Sequence, residues 1–82
     1  MNAVLEDWKN GWFGLQLALS VAEIDHLIEL LGALKADQSQ HFHVSSDYRG
    51  SGGLGDIEFS VQSPSEPHNM SLSSLALGPT SE

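Results

Sequence analysis

No cysteine occurs among the 82 residues, so neither a disulfide framework nor a thiolate metal site can supplement packing. Basic side chains are almost as scarce: Lys9, Lys35 and Arg49 face eleven acidic residues, for a formal net charge of −8. Nucleic-acid binding draws its affinity from lysines and arginines that neutralise phosphates, and three scattered cations cannot form that footprint. Long apolar runs are missing too, the longest falling far short of the roughly 20 residues needed to span a bilayer. The start, Met1-Asn2-Ala3, lacks the basic run of a secretory signal. These absences lead to the expectation of a cytoplasmic protein with neither nucleic acid nor membrane as partner. The acidity suits solubility, and it also suits a basic protein partner.

With 40% of its residues hydrophobic, a chain of this length can build one core and one domain. The most informative feature is a change of period at Ser20. Before it, Phe13, Leu15, Leu17 and Leu19 alternate, as in a half-buried strand from Trp12 to Leu19 whose odd face enters the core. After it, Val21, Ile24, Leu27, Ile28, Leu31 and Leu34 recur at helical spacing. Between the two lies Ser20-Val21-Ala22-Glu23, a capping box in which the serine hydroxyl and the glutamate carboxylate each accept from the other's backbone amide. Glu23 near the start and Lys35 near the end suit the helix dipole.

Two more alternating segments follow. His41 to Ser45 places Phe42 and Val44 inward with His41 and His43 outward, and Asp56 to Gln62 places Ile57, Phe59 and Val61 inward. The run Ser63-Pro64-Ser65-Glu66-Pro67-His68 reads as a turn. A weaker fourth strand is expected around Met70 to Leu77, with a bulge or edge position where its alternation slips. The expected architecture is α+β: one amphipathic helix on one face of a mainly antiparallel four-stranded sheet, in the order β-α-β-β-β. Residues 1–11 are expected to be an irregular N-terminal segment, 12–77 the single domain, and 78–82 a disordered tail.

In that architecture the other sheet face meets water or a partner, and it carries the chemistry worth weighing. His41 and His43, two apart on a strand, project from one face about 6.6 Å apart and can chelate one metal. Pairing Phe42 with either Phe59 or Val61 brings Glu58 or Gln62 near them. The bland account is a solvated polar face with two histidines. Gly50-Ser51-Gly52-Gly53-Leu54-Gly55 matches a nucleotide-loop string, but that fingerprint needs a helix directly after it and a strand follows here, so a flexible hairpin loop is expected. Tyr48 and Arg49 on that loop are residues of the type that make protein contacts. No nucleophile elbow, metalloprotease helix motif or cysteine nucleophile is present, and no catalytic residue or cofactor is expected. Trp12 faces the side opposite Leu15 and Leu17, where the N-terminal segment folds over it or it serves as an aromatic anchor.

His41-Phe42-His43-Val44, then Gly55-Asp56-Ile57-Glu58-Phe59 beyond the glycine-rich loop, then Asn69-Met70-Ser71, together resemble small bacterial immunity proteins of polymorphic-toxin systems over residues 12–77. The resemblance implies a small acidic protein that neutralises a toxin by stoichiometric binding, with no catalytic residue to carry over. The expected function is therefore a non-enzymatic protein-binding module. Its partner is a protein, for example a basic toxin domain, and it is contacted by Trp12, His41, His43, Tyr48, Arg49, Glu58 and Gln62. The alternative is a metal-binding protein or metal-dependent enzyme using His41 and His43 with Glu58. A homodimer sealing the same face is a third possibility.

Overall fold

The computed structural model describes residues 1–72. Its elements run β1 (Asn2–Asp7), β2 (Phe13–Ala18), α1 (Val21–Ala36), β3 (His41–Ser45) and β4 (Asp56–Ser60). The α+β class and the single helix agree with the pattern of hydrophobic periods. The sheet does not: instead of one four-stranded sheet there are two separate antiparallel hairpins, β1–β2 and β3–β4, and the order is β-β-α-β-β. Met70 to Leu72 form no strand, and the rest of the expected fourth strand, with the expected disordered tail, lies outside the described residues.

The segment expected to be irregular forms β1, paired with β2 from Asn2 opposite Ala18 to Asp7 opposite Phe13. The cause is the turn between them. Asp7 Oδ1 accepts from the Lys9 amide at 2.8 Å and Asn10 Oδ1 accepts from the Trp12 amide at 3.0 Å, while the Trp8 amide reaches the Trp12 carbonyl at 3.0 Å. Lys9 and Gly11 both take positive φ, 60° and 96°; glycine does so at no steric cost, and the Asn10 side chain caps the turn through the Trp12 amide. The Trp8 indole then folds back over Gly14, where an added Cβ would sit 2.9 Å from the ring. Only glycine leaves room for that approach.

Helix α1 begins as its sequence requires. The Glu23 amide donates to Ser20 Oγ at 3.1 Å and the Ser20 amide donates to Glu23 Oε1 at 2.9 Å. The Ser20 amide, and then the Met1 ammonium 2.9 Å from Glu23 Oε2, hold the Glu23 carboxyl down to about 2. At the other end Asp37 leaves helical geometry, its amide donates to the Ala33 carbonyl at 3.0 Å, and its carboxylate collects Ser39 and Gln40.

The core is thin. Among the described residues only Leu34 is buried, at 7% exposure. Leu27 and Leu30 of α1, Phe42 and Val44 of β3, and Ile57 and Phe59 of β4 are half-buried. The Phe42 and Phe59 rings stack with centroids 4.8 Å apart and planes 13° off parallel. The apolar stripe expected on the helix is thereby split. Its Leu27–Leu34 side is covered, whereas Val21, Ile24, Ile28 and Leu31 stay exposed. Every residue of β1 and β2 except Gly14 is exposed as well, which corrects the expectation that Phe13, Leu15 and Leu17 enter the core.

Two outcomes test this account. Ser20→Ala removes one half of the capping box and is expected to lower unfolding free energy by about 1 kcal/mol, read from the denaturation midpoint; no change would mean that the cap is not formed in solution. Gly14→Ala, in a Trp12→Phe background that isolates Trp8, is expected to push the indole off the hairpin and shift its emission to the red. Unchanged emission would contradict the close approach.

Candidate functional site

Cross-strand partners in an antiparallel pair share a face, so the register of the second hairpin decides what its outer surface carries. Phe42 pairs with Phe59 and Val44 with Ile57, which leaves His41 opposite Ser60, His43 opposite Glu58 and Ser45 opposite Asp56. All six outer residues are exposed. The covered inner face and the polar outer face follow directly from the alternation in each strand.

The outer residues form a connected group. His43 Nδ1 donates to Asp56 Oδ2 at 2.8 Å, and the Ser45 hydroxyl donates to Asp56 Oδ1 at 2.9 Å. Glu58 Oε1 lies 3.7 Å from His43 Nε2, and the His41 ring meets the His43 ring edge-on with centroids 5.0 Å apart. The hydrogen bond to Asp56 raises the His43 pKa above its ordinary value, partly opposed by loss of water and reinforced by the Asp56 and Glu58 charges. Asp56 is correspondingly lowered, first by His43 and then by Ser45.

Serine, histidine and aspartate meet here, but not in the serine-to-histidine-to-aspartate order of a hydrolase triad. A serine nucleophile hands its proton to the histidine that the aspartate orients. Ser45 instead donates to the aspartate itself, not to the histidine. A metal would have to use His43 through Nε2, because Nδ1 is engaged by Asp56. Among the described residues no three histidine or carboxylate groups are placed to hold a metal ion.

The β3–β4 loop borders this face. The Ser46 amide donates to the Gly55 carbonyl at 2.9 Å and closes its base. Tyr48 takes a positive φ of 56°, uncommon for a bulky residue, its amide donating to Ser46 Oγ at 2.8 Å and its ring lying against Gly55, 3.2 Å from where a Cβ would stand. Arg49 extends into solvent with Asp47 3.3 Å from its Nε. A cleft of about 540 Å³ opens between this loop, Glu23 and the first residues of β1, with Arg49, Asp47 and Asp56 on its wall. The glycine-rich string forms part of this loop and leads into β4, not into a helix.

Of the residues expected to make partner contacts, His41, His43 and Glu58 share the outer face of the second hairpin, and Tyr48 and Arg49 sit on the loop that joins its strands. Gln62 lies beyond the end of β4, its amide nitrogen donating to the Glu66 carbonyl at 3.2 Å. Trp12 belongs to the turn of the first hairpin, in a different sheet, and is 72% exposed. Asp56, which the alternation puts on this outer face without naming it a partner contact, and Ser45, which was not expected there, complete the site. The sequence did carry a signal for both, since they fall in the same alternating phase as Glu58 and His43.

The His43–Asp56 bond has a pH signature. A raised histidine contributes stability that is complete below its ordinary 6.5 and is lost as pH climbs through the raised value. A lowered aspartate contributes above its ordinary 3.8 and loses this as pH falls through the lowered value. The pair is therefore strongest between 3.8 and 6.5. The His43 ring resonances are expected to titrate above 6.5, and Asp56→Asn is expected to bring the midpoint down; an unmoved midpoint would break the assignment.

No protein-family model, curated protein or solved structure matches the chain.

Proposed function

We propose that the chain is a non-enzymatic protein-binding module that occludes a basic protein partner by stoichiometric contact, in the manner of small immunity proteins that neutralise toxins. The outer face of the second hairpin carries this reading: His41, His43, Ser45, Asp56, Glu58 and Ser60 form an exposed polar surface. Its central side chains are already fixed by mutual hydrogen bonds, and little side-chain freedom remains to be lost on docking. Tyr48, held in a left-handed backbone beside that surface, adds an aromatic contact of the type that dominates interface energetics. A net charge of −8 steers a cationic partner toward the chain and speeds encounter in low salt.

Affinity capture from the native host, followed by titration of the retained protein against the pure chain, tests the reading. The expected result is a one-to-one complex whose association rate falls about tenfold from low to physiological salt. Glu58→Lys is expected to weaken it at least about tenfold, because like charges then meet across the contact. A complex insensitive to both salt and Glu58→Lys would remove this face and its charge from the account.

A further inference from the structure

Two apolar surfaces remain outside the hairpin-2 site, and among the described residues they stay largely exposed. On the first hairpin, Ala3 with Leu17, Leu5 with Leu15, and Asp7 with Phe13 share one face. Leu5, Phe13 and Leu15 on it are 52%, 57% and 46% exposed. On the helix, Val21, Ile24, Ile28 and Leu31 follow one another at i, i+3, i+7 and i+10, a single flank, and Val21 and Ile28 are 77% and 63% exposed. From these exposures the two surfaces amount to roughly 750 Å² per chain, close to the about 800 Å² per partner in a standard stable interface. Each surface alone is of the few-hundred-Å² size that monomers commonly expose, and only the two together approach the size of an interface.

We propose that the chain is a homodimer whose interface is the apolar face of hairpin β1–β2 together with the Val21–Leu31 flank of α1. Three observations select a second copy as the occupant. Both surfaces sit on one chain, and a twofold axis that lays the hairpin of each copy on the helix flank of the other covers them together, as an isologous interface does. The charge is distributed accordingly. The hairpin face holds one charged residue, Asp7, at its turn end, and the flank ends at Lys35 with Asp25 at its border, so a docking direction exists that sets Asp7 against Lys35, and the contact buries few of the chain's charges. Finally, one buried side chain is a small core for a domain of this length, and a second copy supplies the missing apolar layer. The dimer leaves the His41–Glu58 face open, so the inference stands apart from the partner-binding reading above.

Sedimentation of the full chain over a range of concentrations tests it. The expected species is a dimer, and Ile28→Glu and Leu15→Glu are each expected to weaken it on the order of a hundredfold, since each places an unpaired carboxylate in an apolar contact. Glu58→Gln is expected to leave it intact. In parallel, the thermal midpoint of the unaltered chain is expected to rise with protein concentration, as it does when association is coupled to folding. If the glutamate variants do not fold, this concentration dependence decides alone. A monomer at every concentration, a midpoint indifferent to concentration, or a dimer untouched by Ile28→Glu would each overturn the proposal.

Discussion

The register that sets Phe42 against Phe59 is the constraint on which the rest depends. Their stacked rings belong to the half-buried inner face of the second hairpin, and the same pairing puts His43 opposite Glu58 and Ser45 opposite Asp56. A slip by one residue turns every side chain of a strand to the other face. The imidazoles would then enter the core and the phenyl rings would face water, so packing energy fixes the polar arrangement. The hydrogen bonds around Asp56 depend on that register and do not create it. Each joins exposed groups, and exposed polar pairs contribute little to stability on their own.

The helix mediates between two different surfaces. Its apolar arc is wide enough for two neighbours, and only the side with Leu27, Leu30 and Leu34 is withdrawn from water. The remaining flank and the first hairpin are apolar without being covered, while the polar network lies on the far side of the second hairpin. Self-association through the first set and partner binding through the second would thus use different elements. The left-handed Tyr48 backbone fits the second role, since strained conformations persist where surrounding structure over-determines them.

Much of this was legible before any coordinates. The capping box, the change of period at Ser20 and the strand His41–Ser45 all follow from local patterns whose physics is local: hydrogen bonds three residues apart and side chains that alternate. The outward phase of His41, His43 and Glu58 was legible for the same reason. The strand Asn2–Asp7 was missed because Val4, Leu5 and Glu6 show no clean alternation. The one local signal for it, Asn10-Gly11 in the turn, carries weight only once a partner strand is supposed on each side.

What sequence alone determined is therefore the set of elements that local periodicity and capping can specify, together with the face on which each side chain projects. Which strands pair with which was decided by tertiary structure. Strand pairing joins residues far apart in the chain, and its energy lies in contacts that no local pattern records. The tight Trp8–Trp12 turn let β2 find β1 within a few residues, which left β3 and β4 to pair with each other, and so the chain formed two hairpins where a single sheet was equally compatible with its alternation. That choice removed Trp12 from the histidine surface and left half of the helix's apolar arc uncovered.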